Sequence, residues 1–163
     1  MVTIAISKEQ VLDWLSEVAD PEIPVLTITD LGIVRGVRVD EGVTVALTPT
    51  YSGCPATEVI EQSVVDALGR QGVEGVRIER VLSPPWTTDW ISDEGRAKLK
   101  AYGIAPPAEG GSKRELLQGR RQIACPRCES VDTALVSEFG STACKASYKC
   151  NACLEPFEYF KCI

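Results

Sequence analysis

The sequence predicts an α+β protein in which a small α-β-β-α-β-α domain precedes a zinc-ribbon-like β module. Three observations carry that expectation. Hydrophobic periodicity switches between helical and strand spacing over the first hundred residues, and a Pro/Gly-rich break follows at PPAEGG (106–111). Two Cys-x2-Cys pairs then occupy the remaining segment.

The first helix opens at Ser7, which with Gln10 forms a capping-box pattern. Val11, Trp14, Leu15 and Val18 then recur at helical spacing, so a helix is expected from about Lys8 to Ala19, ended by Pro21 and Pro24. Val37/Val39 and Val43/Val45/Leu47 alternate on either side of Asp40-Glu41-Gly42, which reads as a β-hairpin. After Cys54-Pro55, the spacing of Ala56, Ile60, Val64 and Leu68 predicts a helix over Pro55–Arg70, closed by Gly69 and Gly72. Val76 and Ile78 mark a short third strand. Ser92 as cap, Leu99 inside and Gly103 at the end mark the last helix. Domain limits are expected at 1–105 and 121–163, with 106–120 as linker.

Composition excludes several function classes. Residues 1–111 carry 9 Lys/Arg against 17 Asp/Glu, and residues 112–163 carry 8 against 6. The acidic body argues against nucleic-acid binding, and the small excess of positive charge in the tail is too weak for a phosphate-binding stripe. The chain has no histidine, which removes the commonest general base and the Ser/His and Cys/His nucleophile pairs. No stretch reaches the ~18 apolar residues of a membrane span, and the first residues lack the pattern of a signal peptide. A cytoplasmic location is expected, and seven cysteines there point to metal or thiol chemistry rather than to a disulfide scaffold.

CPRC (Cys125, Cys128) and CNAC (Cys150, Cys153) lie 21 residues apart. Each tight turn aims two thiolates at one tetrahedral ion, as in structural zinc sites. Zinc binding worth roughly 10–16 kcal/mol offsets the ordering entropy of so small a module. Two readings stay open for Cys144 and Cys162. They are either buried small hydrophobes or further ligands of a six-thiolate site able to hold an iron–sulfur cluster.

In the first domain, Cys54 is expected at the N-cap of the second helix, with Pro55 at the first helical position. There the backbone N–H groups and the helix dipole both favour its thiolate form. Asp20 and Glu22 lie on a proline-stiffened loop and Asp30 precedes Leu31-Gly32. These carboxylates are candidate oxygen ligands beside a thiolate, or plain turn and cap formers. Trp86 and Trp90 read as a lid over the core.

The stretch DPEIPVLTITDLGIVRGV followed by TPTYSGCPATEVI resembles the small domain shared by bacterial SufT-type proteins and the eukaryotic cytosolic iron–sulfur assembly factors, over roughly residues 8–104. With CPRC, FGSTACKA, CNAC and PFEYFKC added, the whole chain resembles the PaaD family, accessory proteins of bacterial phenylacetate degradation. The resemblance implies iron–sulfur or iron-centre maturation without catalysis. Its client would be the multicomponent phenylacetyl-CoA epoxidase, with its di-iron oxygenase and iron–sulfur reductase. It further implies a transient iron or cluster site at Cys54, Asp20, Glu22 and Asp30, zinc in the ribbon, and contact with the iron–sulfur assembly machinery. A stable epoxidase subunit whose only metal is structural zinc is the alternative, and a homodimer is left open.

Overall fold

The computed structural model describes residues 6–107 and 122–161. The chain divides into two compact units, Met1–Trp86 and Thr87–Ile163. This division falls earlier than the composition break at 106–111, and residues 108–120 of the expected linker lie outside the described residues.

In the first unit, helix α1 (Lys8–Leu15) begins with the capping box read from the sequence: Gln10 N donates to Ser7 Oγ at 3.2 Å and Ser7 N to Gln10 Oε1 at 2.9 Å. It stops four residues short of Ala19. The N–H groups of Glu17 and Val18 bond three residues back, to Trp14 and Leu15, tightening the last turn. The chain then folds back on itself, with Asp20 N donating to Leu26 O and Ile28 N to Val18 O, and buries Ile23, Leu26 and Ile28.

Strands β1 (Val34–Val39) and β2 (Val43–Leu47) form the expected hairpin, with Val39 opposite Val43 and an irregularity between Val34 and Gly36. Helix α2 (Ala56–Arg70) buries Ala56, Ile60, Val64, Ala67 and Leu68 along one face. It returns the chain to β3 (Arg77–Arg80), which pairs parallel to β2 with Val45 beside Ile78. A parallel neighbour requires such a crossover, and here the helix supplies it. Trp86 is buried, and its indole N–H donates to the Leu31 carbonyl at 2.7 Å, so it does act as a lid on this core.

The second unit opens with a short 3-10 turn (Thr88–Trp90) and helix α3 (Asp93–Tyr102). Ser92 caps α3 through Gly95 N at 3.0 Å, and Gly103 ends it at φ 94°, a conformation glycine adopts without steric cost. Strands β4 (Ile104–Ala105), β5 (Thr133–Ser137), β6 (Lys145–Cys150) and β7 (Pro156–Phe160) form one sheet in the order β4-β7-β6-β5. The short β4 runs parallel to β7, and the other pairs are antiparallel. Its core gathers Ala105, Ile123, Cys125, Cys150, Phe157 and Tyr159, with Tyr148 stacked on Phe157 at 5.9 Å. The aromatic residues of the tail thus build a small core, with Phe139 as the exposed exception.

The Trp86–Leu31 bond gives the first prediction. Trp86→Phe keeps an aromatic ring but strands a buried carbonyl, so denaturant unfolding should show a loss of about 1–3 kcal/mol. An unchanged midpoint would mean that the lid contributes packing alone.

Candidate metal centre

Each cysteine pair sits in a turn whose backbone turns its N–H groups inward. In the first, Cys125 N donates to Ser130 O and Glu129 N to Cys125 O, both at 2.9 Å. In the second, Cys150 N donates to Glu155 O at 2.9 Å and Cys153 N to Cys150 Sγ at 3.5 Å. The residue after the second cysteine takes a left-handed backbone in both turns, Glu129 at φ 63° and Leu154 at φ 64°. A side chain there costs roughly 1–2 kcal/mol, so the rest of each turn must impose it. Neither residue is marked in the sequence by the glycine that such a position favours.

The two turns are tied to each other around β5. Asn151 N donates to Asp132 O at 2.9 Å, Asn151 Nδ2 to Asp132 Oδ1 at 2.9 Å, and Thr133 Oγ1 to Ile123 O at 2.7 Å. Arg127 pairs with Glu155 across the turns at 2.5 Å, an exposed contact of small energetic weight.

The result is a cluster in which the four Sγ atoms of Cys125, Cys128, Cys150 and Cys153 all lie within 4.8 Å of one another. Cys125 and Cys153 are 3.8 Å apart, and Cys128 and Cys150 3.6 Å. One tetrahedral ion with metal–sulfur bonds near 2.3 Å needs sulfurs roughly 3.8 Å apart. The donor set therefore fits a single ion held by four thiolates. With every coordination position filled by protein, such an ion would crosslink the fold and leave no open position for substrate.

Protons are shared unevenly in this cluster. The N–H groups of Cys153 and Ala152 and the neighbouring thiols draw Cys150 down to about 7 against the cost of its burial. The Ser130 N–H pulls Cys128 down as well, but hydrogen bonds to the Cys153, Cys150 and Cys125 thiols, together with burial, push it up to about 12.

The other candidate residues are placed differently. Cys144 is buried with its sulfur 3.0 Å from Thr142 Oγ1, apart from the four-cysteine cluster. Cys162 lies outside the described residues. Asp20 Oδ1 accepts the N–H groups of Glu22 and Ile23, both at 2.8 Å, and Asp30 Oδ2 accepts Thr27 N at 3.0 Å. Both carboxylates thus organise their loops. Cys54 is half-buried and does not cap α2 as expected: Pro55, at φ −67° and ψ −20°, takes the cap position one residue later, because proline's fixed φ already lies in the helical region. Among the described residues, the four ribbon cysteines are the only group of three or more Cys, Asp or Glu with ligand atoms this close, so Cys54, Asp20, Glu22 and Asp30 are not gathered in this way.

Sequence reasoning missed an ion pair beside the ribbon. Lys145 is buried, with Nζ 3.0 Å from Glu158 Oε2, and Glu158 also accepts Ser141 N at 2.6 Å and Ser141 Oγ at 3.1 Å. At Gly140 an added Cβ would fall 2.6 Å from Glu158 Oε1, so a side chain there would push this carboxylate aside. The signal was a lone lysine and a lone glutamate inside the apolar runs KASY and PFEYF. Burial pushes the Glu158 carboxyl up, but the Ser141 N–H, the Lys145 ammonium and the Ser141 hydroxyl outweigh it and hold the group below its usual range.

A compact α+β unit followed by a four-thiolate ribbon defines a two-part metal-ribbon protein, and comparison with known proteins agrees for both parts. Residues 8–82 match the iron–sulfur cluster assembly protein family, and residues 109–161 match the PaaD zinc beta ribbon domain. An Escherichia coli protein named as one of the subunits of 1,2-phenylacetyl-CoA epoxidase is 53% identical over 91% of this chain and 89% of its own length. The chain belongs to the PaaD family. A Porphyromonas gingivalis Fe-S protein maturation auxiliary factor is 38% identical over 57% of this chain and 90% of its own. Among solved structures, a DUF59 domain of unknown function from Bacillus anthracis is 28% identical, with TM-score 0.53, covering 56% of this chain and 90% of that one. A conserved hypothetical protein from Thermotoga maritima is 33% identical, with TM-score 0.51, covering 60% and 98%.

Two outcomes follow from this geometry. Metal binding displaces thiol protons, so apparent zinc affinity in a chelator competition should rise steadily from pH 6 to pH 8; an affinity indifferent to pH would argue against thiolate ligation. The folded-state value of Glu158 is depressed, so its stabilisation is present above the usual carboxylate pKa of about 4.3 and lost as pH falls through the folded value. Glu158→Gln should therefore lower stability at neutral pH and flatten its acid dependence; parallel acid-unfolding curves for variant and parent would show that the pair is energetically silent.

Proposed function

We propose that this chain is a non-catalytic maturation factor for the iron–sulfur or iron centres of the multicomponent phenylacetyl-CoA epoxidase, acting in the cytoplasm. One observation carries the reading. The auxiliary factors from Porphyromonas gingivalis and Staphylococcus aureus are matched over 90% and 96% of their own lengths, yet they account for only 57% and 50% of this chain. Their lengths fit its first part, where residues 8–82 match the iron–sulfur cluster assembly family, whereas the Escherichia coli relative is matched over 91% of the chain. Maturation chemistry is accordingly assigned to the first unit and client selection to the ribbon.

In this reading iron or a small cluster is cargo. Cys54 offers a soft sulfur ligand at a loop-to-helix junction, and Asp20, Glu22 and Asp30 of the acidic loops supply oxygen ligands as the cargo is taken up. The ribbon holds zinc through Cys125, Cys128, Cys150 and Cys153 and presents a docking surface to the di-iron oxygenase or the iron–sulfur reductase. Contacts with the iron–sulfur assembly machinery supply the cargo. Among the described residues no helix is long and apolar enough to cross a membrane.

The name of the Escherichia coli relative favours a second reading, in which the chain is a stable, non-catalytic epoxidase component with only structural zinc. The two part at Cys54. In cells expressing Cys54→Ser, the purified oxygenase and reductase should contain as little iron and sulfide as in cells lacking the chain, while the variant keeps its own zinc. Full client loading, with a stoichiometric complex that survives high salt, would discard the maturation role in favour of the structural component.

A further inference from the structure

The four ribbon sulfurs are not equally open. Cys125 and Cys150 are buried, Cys153 is half-buried and Cys128 is exposed. The contacts at 3.6 and 3.8 Å both run across the two turns, so the exposed Cys128 sulfur abuts the fully buried Cys150 sulfur. Cys128 lies in a turn outside any strand and Cys150 is the last residue of β6. A disulfide bond is about 2.05 Å long, so these two sulfurs need to close by only about 1.5 Å, and the turn can move without breaking the sheet.

We infer that Cys128 is an oxidation site: a peroxide reacting there converts Cys128 and Cys150 into a disulfide across the turns and so ejects the ribbon's metal. This rests on the ribbon holding zinc through four thiolates. The Cys128 thiolate attacks one peroxide oxygen, the O–O bond breaks, and hydroxide leaves, giving a sulfenic acid. The Cys150 thiolate then attacks the Cys128 sulfur. The S–S bond forms, the S–O bond breaks, and a second hydroxide leaves. Two thiolates lose one electron each, the peroxide gains two, and two protons from the medium turn both hydroxides into water. Two thiolates remain, Cys125 and Cys153, half of the set that a structural site requires.

The consequence is a ribbon that is metal-bound under reducing conditions and open under oxidising ones. Since the second unit packs two of its ligands, Cys125 and Cys150, into its core, loss of metal would loosen the unit as a whole. Client docking would then be switched off by peroxide and restored by a dithiol reductant.

The test uses the full chain, purified with its zinc and treated with graded hydrogen peroxide. Free zinc is followed with a chromogenic chelator, and thiols are mapped by mass spectrometry of unreduced peptides. Zinc release should track formation of the Cys128–Cys150 disulfide one for one, and a dithiol reductant should reverse both. In the zinc-loaded protein, brief alkylation should modify Cys128 before the other three ligands. Zinc retained while Cys54 alone oxidises would overturn the inference, as would a first disulfide within one turn, Cys125–Cys128 or Cys150–Cys153. Protein that contains no zinc before peroxide is added would count instead against the zinc reading itself.

Discussion

Four sulfurs confined within 4.8 Å of one another are the constraint on which the second unit depends. Deprotonated, they repel; protonated, they leave the turns to the hydrogen bonds around them and the exposed Arg127–Glu155 pair. The turns also carry two left-handed non-glycine residues, Glu129 and Leu154, that their sequences do not favour locally. A single ion resolves both problems, and the roughly 10–16 kcal/mol typical of structural zinc exceeds the cost of the strained positions several-fold. Because Cys125 and Cys150 also lie in the core with Phe157 and Tyr159, the metal centre and the packing are one cooperative unit.

Much of this was legible in the residues because the signals were local. The capping box at Ser7, the valine alternation of the hairpin, the four-residue apolar spacing of α2 and the Ser92–Gly103 frame of α3 all depend on chemistry within a few residues. The cysteine turns were legible for the same reason, since a Cys-x2-Cys turn fixes two ligands whatever surrounds it. The length of α1 was less so. Its apolar spacing runs on to Val18, but the last N–H groups bond three residues back and the helix closes at Leu15.

What escaped the sequence required partners distant along the chain. A two-residue strand such as β4 has no periodicity of its own and exists because β7 is there to pair with it. Lys145 and Glu158 reveal their pairing only once β6 and β7 lie side by side. The composition break at 106–111 marks where the chain changes character, whereas the division at Trp86 and Thr87 marks where packing changes hands. The acidic-loop residues illustrate a different limit. Asp20 and Asp30 use carboxylate oxygens on backbone N–H groups of their own loops, and the residue pattern alone is compatible with that use and with metal binding.

In the proposed reading the two units divide the chemistry: the first offers one half-buried cysteine at the start of α2 for transient cargo, and the second a four-cysteine cage suited to permanent retention of one ion. The most direct test of that division is the content of zinc, iron and acid-labile sulfide per chain in protein purified without oxygen. About one zinc with neither iron nor sulfide is the predicted result, as a closed four-cysteine site for a single ion requires. Stoichiometric iron and sulfide would contradict it and make the ribbon itself a cluster carrier.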